Sequence, residues 1–218
     1  MIFKNREEAA RLLADRLATY TGKHPLILAI PRGAVPMGKI IADALDGELD
    51  VILVRKLSAP GNPEYAVGSV DESGHTTINP DVEGTVDEEY FAEEVRRQME
   101  TMRKRRALYT PVRSPIDPHD RIVIVVDDGI ATGSTMLAAL HAVRRKKPKK
   151  LIAAIGVAPQ ESVERLRHAA DEVACLQMPT WFTAVGQFFQ EFPQVEDDEV
   201  VGILRTGSSS PKASRHVA

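Results

Sequence analysis

Short, unbroken apolar runs alternating with segments of helical periodicity constrain this chain more than any other feature. Leu26–Ile30 lies between Pro25 and Pro31, and Val51–Val54, Ile122–Val126 and Leu151–Ile155 follow in order, with a shorter run near 172–176. Each is too short for a helix and lacks the polar alternation of a strand with one wet face. They read as strands buried on both sides.

The segments between them carry apolar residues at helical spacing. Residues 5–20 place Ala9, Leu12, Leu13, Leu17 and Tyr20 on one face, with Asn5 as N-cap and Glu8 as its capping-box partner. Pro36 suits a first helical position, and Met37, Ile40, Ile41, Ala44 and Leu45 form the stripe behind it. Further helices are expected over Asp87–Leu108, where Phe91, Val95, Met99 and Met102 keep the spacing, over Thr135–Arg145 and near 161–170. Strands alternating with helices specify an α/β fold, Rossmann-like, with a mostly parallel sheet flanked by helices and ligands at the carboxyl ends of the strands. One interruption is expected, an antiparallel hairpin from Tyr65–Val70 and Thr76–Ile78 around the turn Asp71–Gly74.

The expected organisation is a core over residues 1–178, containing the inserted hairpin (65–78) and the long helix (87–108), then a small C-terminal hood over 179–204. The hood gathers Trp181, Phe182, Phe188, Phe189 and Phe192. Residues 205–218, rich in Ser, Lys and Arg, are expected to be a disordered tail. Composition then excludes several classes. With 43% hydrophobic residues among 218 the chain can bury a core, and a net charge of −3 offers no overall basic field for nucleic acid. No apolar stretch approaches the roughly 20 residues of a membrane span. Cys175 sits in the run Val173–Leu176, where it reads as a small packed hydrophobe. A cytoplasmic protein is expected.

The segment that carries chemistry is Val125-Val126-Asp127-Asp128-Gly129-Ile130-Ala131-Thr132-Gly133-Ser134-Thr135, placed between a buried strand and an amphipathic helix. Two carboxylates at a strand end can accept hydrogen bonds from a vicinal diol. The Thr/Gly/Ser turn offers amides, hydroxyls and a helix N-terminus to a phosphate. A sugar phosphate satisfies both halves. A plain turn with an N-cap is the bland alternative, and neither a Walker A loop nor a Gly-x-Gly-x-x-Gly competes.

This segment resembles the phosphoribosyl pyrophosphate (PRPP) loop of type I phosphoribosyltransferases. Pro31-Arg32-Gly33 resembles their pyrophosphate loop, Arg55-Lys56 the Arg-Lys pair of adenine and orotate enzymes, and Ala184-Val185-Gly186 after Trp181-Phe182 the base-binding hood of purine salvage enzymes. From about Phe3 to Val200 the chain resembles a group of phosphoribosyltransferase-like proteins. The resemblance implies the type I phosphoribosyltransferase fold and transfer of phosphoribose from PRPP to a nitrogenous acceptor, a purine among the candidates, with release of pyrophosphate. It also implies a homodimer.

By the same resemblance, residues Asp127 to Thr135 (Asp127, Asp128, Gly129, Ile130, Ala131, Thr132, Gly133, Ser134, Thr135) hold the ribose 5-phosphate. Arg32, Gly33, Arg55 and Lys56 hold the pyrophosphate, and Trp181 and Phe182 face the base. Asp127, Asp128, Arg32 and Lys56 form the catalytic set, with Mg²⁺ held by the two acids through water. The Pro31–Arg32 peptide is expected to be cis, and loop 57–64 is a candidate lid. Two departures stand out: Ala131 occupies the place of an Asp of hypoxanthine-guanine enzymes, and Gln187–Gln190 stand where those enzymes place another.

Other features read as structural. The six histidines lack metal-ligand spacing. The basic run Arg144–Lys150 suits a helix C-terminus, and the charges of Arg96, Arg97 and Arg103–Arg106 interleaved with Glu93, Glu94 and Glu100 suit a solvated face. Glu196–Glu199 reads as surface. A PRPP-binding regulator that contacts nucleic acid through those basic residues is the alternative to an enzyme, and a steep salt dependence of duplex binding would favour it.

Overall fold

The computed structural model describes residues 2–79, 82 and 86–206. Five parallel strands make the central sheet: β1 (Leu26–Ala29), β2 (Glu48–Val51), β6 (Ile122–Gly129), β7 (Lys150–Val157) and β8 (Glu172–Gln177), in the order β2-β1-β6-β7-β8. A second, antiparallel sheet in the order β3-β4-β5 contains β3 (Val54–Ala59), β4 (Asn62–Asp71) and β5 (Thr76–Ile78). The α/β class and the inserted hairpin follow from the apolar runs as expected.

Alternation along each central strand divides the core into two layers. Ile27, Ala29, Ile124, Val126, Ile152 and Ala154 face one side, with α1 (Arg6–Arg16), α2 (Val35–Leu45) and α6 (Asp197–Thr206). Leu26, Leu28, Val123, Val125, Leu151 and Ala153 face the other, with α4 (Ser134–Arg145) and α5 (Gln160–Arg167). Burial on both faces explains why these strands read as continuous apolar runs. Gly38 lets α2 approach closely, since a Cβ there would lie 2.9 Å from Leu49 Cδ1 and 3.0 Å from the Ala29 Cβ. At the first helix Asn5 Oδ1 accepts from the Glu8 amide at 3.1 Å, but Glu8 returns the bond to Lys4 N, one residue before the box position. Leu12, expected in the stripe, is 37% exposed at its edge.

Three expectations are corrected. The run Val51–Val54 is not one strand: β2 ends at Val51, and Val54 opens β3 in the other sheet. Arg55 and Lys56 therefore stand on a strand, and 57–64 is the tip of the β3–β4 hairpin, not an open loop. The long helix α3 (Glu88–Tyr109) has no uniformly solvated charged face, for Glu94 is 3% exposed and buried like Met102 and Tyr109 further along the helix. Arg106 is neutralised by Glu72 and Asp50, and Glu94 binds Arg97 and Gln98. Charge periodicity reads the same whether the neutralising partner is water or another element.

The aromatic segment folds back onto the chain start, where Phe3 N donates to Phe188 O at 2.8 Å and Gln190 N to Phe3 O at 2.9 Å. Phe188, Phe189, Val195, Val200 and Leu204 join the same core as α1 and α2. The helix α3, which ends in Tyr109, also meets α6. The expected disordered tail does not begin at 205, since Arg205 and Thr206 close α6, and residues 207–218 lie outside the described residues. None of the described helices is long and apolar enough to cross a membrane. Cys175 is buried, its Sγ 3.2 Å from Gln177 O.

Candidate active site

The sheet's order places the site. β1 and β6 are neighbours, yet the chain leaves β1 for β2 on one side and β6 for β7 on the other, so a crevice opens above their carboxyl ends. A cavity of about 360 Å³ lies there. It brings together Pro31 and Gly33 after β1, Arg55 and Lys56 on β3, Asp127 and Asp128 at the end of β6, and Thr135 in the first turn of α4. These residues lie far apart in sequence, and the sheet's order gathers them.

The acids lie on the strand itself, which runs through them to Gly129. Asp128 is held by a residue that sequence reasoning missed: Arg6, the first residue of α1, donates from Nε to Asp128 Oδ2 at 2.7 Å. The Arg6 guanidinium also reaches Pro193 O at 2.6 Å and lies 3.7 Å above the centre of the Phe192 ring. Burial pushes the Asp128 carboxyl upward, and Arg6 opposes that shift. Asp127 is pushed well above the usual carboxylate range, first by burial and then by the neighbouring Asp128 charge, although its Oδ1 accepts from the Asp128 amide at 2.9 Å.

Gly33 is required for this arrangement. A Cβ there would lie 2.5 Å from Asp128 Oδ2 and 3.2 Å from the Arg6 guanidinium. We therefore expect Gly33→Ala to displace the Asp128 carboxylate and lower turnover while costing about 1–3 kcal/mol of stability. Steady-state rates and thermal melts of a cleanly folded variant check this, and wild-type turnover would show that the pocket yields.

The loop after the acids is tied down from one side. Gly133 adopts φ +75°, which lets the chain turn into α4. Ser162 Oγ donates to Ala131 O at 2.7 Å and Arg165 donates to Thr132 O at 2.7 Å, so the loop's carbonyls are engaged by α5. The Thr132 and Ser134 hydroxyls lie 3.1 Å apart, and Thr135 faces the cavity. A loop whose carbonyls point elsewhere, leading into a helix N-terminus, suits an anion.

The cationic side differs from the expectation in detail. The Pro31–Arg32 peptide is cis. The Arg32 side chain, however, does not line the cavity, and its guanidinium lies 2.8 Å from Glu196 Oε2 and 3.6 Å from Asp197 Oδ2. Arg55 Nε donates to Gln98 Oε1 at 2.9 Å. Thr101, Met102 and Arg105 of α3 complete the cavity wall, so Arg105, read from sequence as part of a solvated face, belongs to the site's surroundings. Asp197 in the acidic run is likewise no plain surface residue, accepting from the Tyr109 hydroxyl at 2.6 Å. Helical spacing of polar residues carried no signal for either.

The base-binding candidates diverge. Phe182 stacks on Phe188, centroids 5.5 Å apart, and packs against the core. Trp181 is 87% exposed, and neither lines the cavity. Three basic residues of the run near 144–150 are engaged within the chain: Arg144 with Asp171, Arg145 with Asp71, and Lys150 with Glu172.

Comparison with known proteins gives the family. The crystal structure of TT1426 from Thermus thermophilus superimposes with a TM-score of 0.85 at 42% identity, covering 96% of this chain and 100% of that one. Two Mycobacterium tuberculosis proteins, from strains H37Rv and CDC 1551 and each named "Putative phosphoribosyl transferase", are 40% identical over 205 residues. The match covers 93% of this chain and 46% of theirs, so the chain spans about half the length of these curated relatives. The phosphoribosyl transferase domain family matches residues 1–192. With that match running from the opening helix through the acid pair and its loop into the aromatic segment, this chain belongs to the phosphoribosyl transferase domain family.

Proposed function

We propose that this chain transfers a 5-phosphoribosyl group from PRPP to a nitrogenous acceptor, a purine among the candidates, with release of pyrophosphate. The observation that carries the reading is the convergence in one cavity of an acid pair, a phosphate-type loop ending in Thr135, and the cations Arg55 and Lys56. PRPP offers a diol, a monophosphate and a diphosphate on one small frame. Each part of the cavity answers one of them.

In the reaction the acceptor nitrogen's lone pair forms the bond to the anomeric carbon as the bond to the diphosphate oxygen breaks. The electron pair leaves with pyrophosphate, the acceptor nitrogen's proton passes to solvent, and positive charge accumulates on the ring in between. Asp127 and Asp128 orient the ribose hydroxyls and place negative charge beside that ring. Lys56 and Arg55 stabilise the departing diphosphate, and Gly33 lets the backbone approach it. The chain thus contributes positioning and electrostatics, without a covalent intermediate.

The carboxylate oxygens of Asp127 and Asp128 are hard donors of the kind Mg²⁺ prefers. Among the described residues no cluster of three or more His, Cys, Asp or Glu could hold a metal. An ion held by the two acids would take its remaining ligands from substrate oxygens and water. When bound, Mg²⁺ offsets the charge of the diphosphate. Of the two aromatic candidates for the acceptor, Trp181 has the free face, Phe182 being committed to Phe188.

The test is a panel of purines, pyrimidines and small amines incubated with PRPP and Mg²⁺, with product mass and released pyrophosphate measured. Failure of every nitrogenous acceptor to release pyrophosphate above the hydrolysis background would remove the transfer reading. Thr135→Val probes the loop separately. It should weaken ribose 5-phosphate and PRPP alike by about tenfold, through a lost hydroxyl donor at the helix N-terminus. Calorimetric affinities equal to wild type would place the monophosphate elsewhere.

A further inference from the structure

Arg105 stands on the wall that α3 adds to the cavity, one turn beyond Thr101, which also lines it. Its guanidinium is drawn toward Asp197 at the start of α6, Nε lying 3.5 Å from Oδ1. The same carboxylate accepts from the Tyr109 hydroxyl, and its other oxygen lies 3.6 Å from Arg32. One carboxylate is therefore shared among a hydroxyl and two guanidiniums, and its approach to Arg105 is longer than the roughly 2.8 Å of a well-made charge-assisted bond. Arg55 lines the same cavity from β3, and its guanidinium pKa is pushed down first by burial and then by the positive charge of Arg105, with Glu94 opposing the shift. Two guanidiniums within reach of each other's field, with Lys56 lining the same cavity, favour an anion placed between them.

We propose that Arg105 binds the diphosphate of PRPP: its guanidinium turns from the shared Asp197 carboxylate into the cavity and completes, with Arg55 and Lys56, the cationic wall built by α3 and β3. The inference rests on the phosphoribosyl-transfer reading and extends it to a residue outside every motif of that reading. Arg105 is placed by packing alone. Met102 and Tyr109, on the same helix, are buried at 3% and 0% exposure and fix the side of α3 that faces the site. Asp197 acts as the holding partner while the diphosphate is absent. A guanidinium suits this exchange, because its planar fork can leave one oxyanion and engage two phosphate oxygens at once.

The test is calorimetric titration of PRPP, inorganic pyrophosphate and ribose 5-phosphate, each with Mg²⁺, into wild type, Arg105→Ala and Arg105→Lys. Arg105→Ala should weaken PRPP and pyrophosphate by about tenfold to a hundredfold and leave ribose 5-phosphate unchanged. Arg105→Lys keeps the charge and loses the fork, so its loss should be intermediate. Unchanged PRPP and pyrophosphate affinities would overturn the proposal, as would an equal loss of all three ligands, which marks a structural role. If the alanine variant does not fold, the lysine variant decides by the same comparison. Wild-type protein that binds neither PRPP nor pyrophosphate would overturn the transfer reading itself. Wild type that binds both, beside variants that bind equally well, would overturn only the role of Arg105.

Discussion

Asp127→Asn is expected to abolish most turnover and yet to raise thermal stability at neutral pH. The stability half follows from the acid's surroundings. Burial and the Asp128 charge push the Asp127 carboxyl well above its ordinary range, so the folded chain retains a proton that the unfolded chain releases. Stability therefore falls as pH rises from the ordinary carboxylate value of about 4 through the raised folded value, and the ionised carboxylate is a net cost above it. Asparagine removes that cost at nearly constant shape. The functional half follows from where charge develops. A carboxylate beside the ribose ring interacts more strongly with the transition state than with the uncharged ring of PRPP in the ground state, so its removal should lower turnover by about a hundredfold to a thousandfold.

Binding should move the other way. The double variant Asp127→Asn with Asp128→Asn takes two negative charges from a site that receives a polyanion, so pyrophosphate should bind it at least as tightly as wild type. Melts across pH 4 to 8, single-turnover rates and pyrophosphate titrations read the three quantities independently. Lower stability of Asp127→Asn at pH 8 would show that the carboxylate is not strained by burial, and turnover within a few-fold of wild type would show that it does not face the ring.

Arg6→Ala is expected to destabilise the fold by about 3 kcal/mol, because removing one partner of a buried ion pair strands the other. Both side chains of the Arg6–Asp128 pair are 12% exposed, so solvent screens little of the interaction. The Pro193 carbonyl and the face of Phe192 lose their partner as well. For a domain of this size the melting temperature should fall by roughly 10 °C. Turnover should fall too, since Arg6 is the side chain that fixes Asp128 Oδ2 against Gly33. Asp128, already pushed upward by burial, loses its opposing cation and should take up a proton at higher pH, so stability and any residual activity should become more pH-dependent in the variant.

A double-mutant cycle isolates the pair. Asp128→Asn in the Arg6→Ala background should recover part of the lost stability, because the stranded charge is gone. Simple additivity of the two single variants would mean that Arg6 acts through the hood segment at Phe192 and Pro193 instead of through the acid.

Much of this architecture was legible because it is written in consecutive residues. A strand buried on both faces must be apolar at every position, so Leu26–Ile30 and Ile122–Val126 announce themselves without any knowledge of their neighbours. The loop from Asp127 to Thr135 was legible for the same reason, all its parts lying within one strand end, one turn and one helix start. The break between Val51 and Val54 was not, since a change of sheet leaves the apolar run unbroken.

What tertiary structure alone decided is which polar side chains meet. Arg6 reaches Asp128 across 122 positions, and Arg32 is turned toward Glu196 across 164. Glu94, Gln98 and Arg105 share one helix with residues open to solvent, and nothing in their spacing separates the two groups. A hydrophobic side chain declares its place by avoiding water. A charged one is satisfied equally by water or by a distant partner, so its direction is fixed only when the sheet's order brings β1, β6 and the two ends of the folded chain to one crevice.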